Sequence, residues 1–354
     1  MMAPLASQEQ FLSRVRDGES IEGHLYKNMQ WHRTAWHGAE IRQCIFEGNR
    51  FVEMEWWSCH VDAVVFADVR WSAATLRDCV FVNCRFVDCV FEQTTLNTHQ
   101  FIHCHFERCV FTACRYTEGS LLKATALDLR IEASQVEKLV LSGNQQVRLR
   151  FQDSDFSHLV LTDFDFKDVE ITNTRLINLI ALDCVARDYC FRGLHLVQSQ
   201  FTDSDMAGSD FSHADLSQTC FKSCDLRGCR FDHAVMRQAL LLQANAAGAV
   251  LAGAQLESAN FSDADCEHAV FRGAQMNMTI LNRCNLQHAN FSGCDMPFTD
   301  FSYADLSYAD FRGGRFMRSK HHAVIDHETR YGSRDGILAP DHALLRAEQW
   351  VKLS

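Results

Sequence analysis

From Trp31 to Phe316 nearly every fifth residue is large and apolar, and no insertion or deletion breaks the register. Trp31, Trp36, Ile41, Phe46, Phe51 and Trp56 open the run, and Phe291, Met296, Phe301, Leu306, Phe311 and Phe316 close it. Two residues before each of these centres the side chain is usually small, as at Cys79, Cys84, Cys89, Ala254, Ala259 and Ala264. Side chains two apart on an extended segment point to the same side, so both series face one interior. An α-helix scatters such a stripe, because five residues advance about 500° around its axis. A flat strand fails too, since a period of two turns alternate centres outward. A chain that turns a corner after each quintet, and closes a square coil with every fourth, keeps all centres inside.

Main-chain pairing of coils at ~4.8 Å gives roughly 14 to 15 coils and a rod about 70 Å long. Residues four quintets apart then stack. One column reads Trp31, Phe51, Trp71, Phe91 and Phe111, and later Phe211, Phe271, Phe291 and Phe311. These rings are expected as core, where offset stacks add to burial.

Residues 209–218 read SDFSHADLSQ, 259–268 ANFSDADCEH and 299–314 TDFSYADLSYADFRGG. They resemble the A(D/N)LXX signature of pentapeptide-repeat proteins, and the resemblance spans about four-fifths of the chain. It implies an all-β fold, a right-handed quadrilateral parallel β-helix with short terminal helices as caps.

Between about 119 and 199 the small series becomes large, with Leu129, Leu139, Leu149, Leu159 and Phe164, while the centres Ala126, Ala181 and Ala186 shrink. Exchanging bulk between the two inward positions conserves core volume, so coiling is expected to continue with a distorted section. Gln146, polar at a centre, either needs inward partners or marks a bulge around residues 142–148; irregularity is favoured over a ligand site.

Only 3 prolines occur and no linker composition divides the chain, so one body with two caps is expected. Residues 1–25 read as a capping helix and lead-in, 26–316 as the solenoid, and 317–354 as a tail with a capping or dimerising helix. At the front, Ser7 is the expected N-cap with Gln10 at the third helical position, Phe11, Leu12 and Val15 share a face, and Gly18 ends the helix. At the back, Asp341 opens a helix that carries Leu344, Leu345 and Trp350. In some pentapeptide-repeat proteins such a helix dimerises, so a homodimer through it is one expectation and self-capping the other.

All of the 16 cysteines but Cys190, Cys220 and Cys266 fall on the small series, where they are expected as buried free thiols. His321, His322 and His327 group in the tail and are read as solvated, not as a metal site. The sequence lacks GxSxG, HExxH and GxxxxGK[ST] patterns, and a solidly packed coil offers no deep pocket. No catalytic residue, cofactor or metal is therefore expected, and the chain is read as no enzyme.

With 45 acidic against 34 basic residues the formal charge is −11, which opposes general affinity for nucleic acid. No segment reads as a signal peptide or membrane span, so no membrane association and a bacterial cytoplasmic location are expected. The leading functional expectation is a protein-interaction adaptor. Residues 14–26, RVRDGESIEGHLY, resemble the start of pentapeptide proteins associated with bacterial type VI secretion spikes, which implies spike or effector partners. The alternative is a DNA mimic, as in the gyrase-protecting members of the family. Asp295, Asp300, Asp305 and Asp310 recur just before the centres as a line of outward charge and form the candidate interaction residues with Leu344, Leu345 and Trp350. Between 199 and 316, however, 14 acidic residues face 8 basic ones, a weak excess for mimicry. A translocated effector is a third reading.

Overall fold

The computed structural model describes residues 5–143, 145–339 and 341–351, with side chains at all of these except 145–147 and 349–351. The expectations for the Gln146 and Trp350 side chains thus lie outside the described residues. The chain is a right-handed parallel β-solenoid with two short helices, α1 (Gln8–Asp17) and α2 (His342–Val351). It forms two compact units, one of residues 1–164 and 168–180, the other of residues 165–167 and 181–354.

In the first unit each side of a coil is a short strand, such as Val80–Val82, paired in parallel with Gln100–Ile102 so that Phe81 lies on Phe101. The corners fall two residues after each centre, in left-handed backbone: Asp68 has φ 51° and Asn83 φ 53°. Asx residues tolerate that conformation, which explains their frequency there. The inward series is buried as the period requires, with Trp31, Phe51, Trp71, Phe91 and Phe111 all at most 3% exposed. Trp71, Phe91 and Phe111 stack at centroid separations of 4.2 Å with nearly parallel planes. At the front, Ser7 and Gln10 form a reciprocal capping box and Gly18 closes α1 at φ 70°. Phe11 of α1 is fully buried against Tyr26, Trp31 and Trp36, so the helix seals the aromatic core that the first coil would leave open.

The small positions carry more than the absence of bulk. The Cys84 thiol donates to the carbonyls of Val61, one coil earlier, and Val82, both at 3.3 Å. In the second unit Thr219 and Thr279 donate likewise to Leu196 and Leu256 at 2.8 and 2.7 Å. A short side chain with one donor fits the inner corner and ties successive coils, which accounts for Cys, Ser and Thr there.

Over 105–152 the sides merge into eight-residue strands such as Thr125–Glu132 and Gln145–Gln152. Leu129, Leu139 and Leu149 are buried where Ala or Cys stands elsewhere, beside a shrunken, buried Ala126. The pairing runs Thr125 to Gln145, Ala126 to Val147, Leu127 to Arg148, then Leu129 to Leu149. Gln146 is thus the extra residue of a bulge, and Asp128 on the facing strand restores the register. Buried His99 sits at a small position because Gly119 lies over it: a Cβ at Gly119 would stand 2.2 Å from the ring.

The second unit is built with tighter corners. Each side shrinks to a single bridge, such as Asp210 with Arg230. The corner closes by a hydrogen bond from the small residue's N–H to the centre's carbonyl, 3.0 Å from Ala214 to Phe211, around a left-handed His213 (φ 61°). That is type II turn geometry. Phe211, Phe271, Phe291 and Phe311 are fully buried; Phe211 stacks on Phe231 at 5.1 Å and Phe291 on Phe311 at 4.7 Å.

Winding does not end at Phe316. Lys320 bridges Asp300, Ile325 bridges Asp305, and Tyr331 stacks on Phe311 at 5.3 Å. The tail histidines are correspondingly not all solvated. His321 is a centre, 9% exposed among Phe301, Phe311, Phe316 and Tyr331, and its polarity hid the coil from a search for apolar residues.

Candidate interaction surfaces

Of the aspartates expected as an outward line of charge, Asp300, Asp305 and Asp310 are tied into the backbone, while Asp295 precedes Pro297, which has no N–H to give. Asp300 accepts the N–H of Ser302 at 3.0 Å and its hydroxyl at 2.5 Å, Asp305 the N–H of Ser307 at 3.0 Å, and Asp310 the N–H of Arg312 at 3.0 Å. Asp210, Asp215 and Asp225 do the same with Ser212, Ser217 and Arg227. This Asx-turn clip satisfies the amide that each corner would otherwise leave open. Most of the charge is also countered: Arg312 lies 2.6 Å from Asp310, Arg315 3.0 Å from Asp295 and Lys320 3.5 Å from Asp300. The hydrogen bond from Arg312 holds the Asp310 carboxyl below the usual carboxylate range. Asp305→Ala is accordingly expected to cost about 1 kcal/mol of stability in urea denaturation, the worth of one such hydrogen bond; an unchanged midpoint would contradict the clip.

In α2, Leu344 is 44% exposed, while Leu345 borders a cleft with His321, Tyr331, Ile337 and Leu338. Glu348 accepts from the Tyr303 hydroxyl and lies 3.3 Å from His322 Nε2. The helix therefore rests on the last coil of its own unit.

Two surfaces escaped the sequence reading. In the first unit, Arg115, Gln135, Asp155 and Arg175 face Thr117, Glu137, Ser157 and Ile177 across a shallow trough of about 350 Å³. In the second unit, the corner that carries Gln198, Gln218, Gln238 and Ser258 in earlier coils carries Met278 and then Phe298, 57% and 44% exposed. Both have left-handed backbone, φ 59° and 56°. Hydrogen bonds from the Met278 N–H to the Pro297 carbonyl (2.9 Å) and from the Phe298 N–H to the Met317 carbonyl (2.8 Å) set the three coils one above the other. Met317, 53% exposed, and Ile280, 37% exposed, widen the patch.

Burial pushes the thiols of Cys114, Cys224, Cys229, Cys284 and Cys294 up to about 12, far from the thiolate form a nucleophile needs. Among the described residues no group of three or more His, Cys, Asp or Glu is placed to hold a metal, and no helix is long and apolar enough to cross a membrane.

The family profile of pentapeptide repeats, in eight copies, matches residues 279–316, and that of a pentapeptide repeat region matches residues 194–277. The profile of the SV2A/B/C luminal domain matches residues 21–111. No curated protein matches the sequence. Among solved structures, HetL, a pentapeptide repeat protein involved in heterocyst differentiation regulation in the cyanobacterium Nostoc sp. strain PCC 7120, is 20% identical over 60% of this chain and 90% of its own, with TM-score 0.41. QnrB1, a plasmid-mediated fluoroquinolone resistance protein, is 18% identical over 54% of this chain and 95% of its own, with TM-score 0.31. A pentapeptide repeat protein of the Arabidopsis thaliana thylakoid lumen is 24% identical over 36% and 66%, with TM-score 0.20. The unbroken quintet register, the inward burial it produces and the two repeat profiles together make this chain a member of the pentapeptide-repeat family.

Proposed function

We propose that the chain is a non-catalytic scaffold that binds a protein partner through the apolar corner of its second unit. The observation that carries this reading is the choice of residue at Met278 and Phe298. The polar residues Gln198, Gln218, Gln238 and Ser258 hold the same left-handed corner in earlier coils, whereas Met278 and Phe298 put apolar surface into water there, which returns nothing to the fold. Gly273, Gly293 and Gly313 occupy the corresponding corners at the neighbouring edge of the same coils, so the repeat offers a cheaper solution close by.

The finer reading is a bacterial, cytoplasmic adaptor that loads cargo for type VI secretion, with spike or effector proteins as partners. It is supported by the resemblance of residues 14–26. The DNA-mimic alternative has less support, because Asp300, Asp305 and Asp310 are clipped to backbone amides and Asp295, Asp300 and Asp310 are countered by arginine or lysine. A homodimer through α2 would use exposed Leu344.

Tagged wild-type chain and a Met278→Asp/Phe298→Asp variant, each used to capture partners from the source cell, separate these readings. The proposal expects one protein to be depleted roughly tenfold by the double substitution, as for loss of a binding hot spot. Equal recovery by both chains would refute it. Recovery of gyrase, with loss of supercoiling on titration, would favour the mimic instead.

A further inference from the structure

The geometry points to an acidic amphipathic α-helix, lying along the coil axis, as the partner element that covers the Met278–Phe298 corner. This deepens the scaffold reading and rests on it. Three observations converge. First, the apolar side chains follow the coil axis, not a strand: Met278 and Phe298 occupy one corner of successive coils, with Met317 beside the next. Leu240, 38% exposed, continues the line two coils before Ile280 through bridges to Asn260. A groove-binding strand would need open main-chain groups, but here they are used between coils, as in the bond from Phe298 N–H to Met317.

Second, the spacings are commensurate. Coils rise about 4.8 Å each, and a helix rises about 5.4 Å per turn. Two coil steps and two helical turns differ by only about 1 Å, which flexible methionine side chains absorb. Apolar residues at i, i+4 and i+7 of a helix therefore meet successive coils.

Third, the unpaired charge around Phe298 is basic. Asp295 and Asp300 are paired with Arg315 and Lys320. Arg318 stands next in the same corner column, is exposed, and has no ion-pair partner among the described residues. Arg283, at the far edge of that side, lies over the Tyr303 ring at 5.8 Å and likewise shows no ion pair. A glutamate or aspartate one turn beyond the apolar pair would reach Arg318.

Two synthetic helices of identical apolar face, one with glutamate and one with lysine on the polar face, test this by fluorescence anisotropy with the full chain. The glutamate helix is expected to bind roughly tenfold more tightly than the lysine helix, and Arg318→Glu to reverse the preference. Phe298→Asn, which suits a left-handed corner and keeps the fold, is expected to weaken the glutamate helix roughly tenfold. Equal binding of both helices, no binding of either, or binding indifferent to Phe298→Asn would overturn the assignment. If cell capture depends on Phe298 while neither helix binds, the scaffold reading stands and the helical partner falls.

Discussion

Phe91→Ala is expected to destabilise the first unit by about 4 kcal/mol, the range found for deleting a buried aromatic ring. The ring is 1% exposed and lies 4.2 Å from both Trp71 and Phe111 in parallel planes, so the substitution leaves a void between two stacked faces. Solenoid coils contact mainly their neighbours, and the damage should be local. Hydrogen exchange is expected to accelerate around residues 71–111 and to stay unchanged around residues 211–311. Phe316→Ala is the internal comparison, because Phe316 is only half-buried and should cost far less. Similar losses for the two variants, or exchange that rises evenly along the chain, would show that the aromatic column does not organise the fold as argued.

The second large effect is acid sensitivity. His99 and His321 are buried as neutral imidazoles, and burial lowers each to about 4 from an ordinary value of 6.5. The unfolded chain therefore takes up protons below pH 6.5 that the folded chain refuses. Stability is complete above that pH, falls between 6.5 and about 4, and levels off below. Each histidine contributes a loss of about 2 kcal/mol between pH 6.5 and 5. Urea denaturation at pH 7 and pH 5 measures it, in a window above most carboxylate titration. His99→Leu and His321→Leu should each flatten the pH slope of their own unit, whatever they do to its stability at pH 7. An undiminished slope in the double variant would mean that other groups carry the effect.

The contrast between these histidines and the outward ones shows what the sequence could and could not disclose. The inward register was legible because burial is set by position alone: Trp71 and Phe311 sit in the same kind of place more than two hundred residues apart and share the same fate. The front cap was legible because Ser7, Gln10 and Gly18 act through local backbone chemistry. The last coil was not, because His321, Asp326 and Tyr331 hold the geometry of centres without the hydrophobicity that marks one. Nor was the role of the aspartates, since a carboxylate that accepts a backbone N–H two residues on and one that awaits a partner have the same letter and spacing. The apolar corner was hidden for a related reason. Met278 and Phe298 look unremarkable in composition, and only their exposed apolar side chains, in a column that is otherwise polar in earlier coils of the unit, reveal residues that do nothing for the fold.

Thiol cross-linking tests the coil itself most directly. Gln218 and Gln238 occupy one corner column, their side chains joined at 2.7 Å, whereas Gln243 stands one corner further on. With exposed Cys190 and half-exposed Cys220 replaced by serine, the remaining thiols are buried and unreactive. A short bismaleimide is then expected to join Gln218→Cys with Gln238→Cys rapidly and Gln218→Cys with Gln243→Cys poorly. Equal yields from the two pairs, or a preference for the second, would contradict a coil that closes with every fourth quintet.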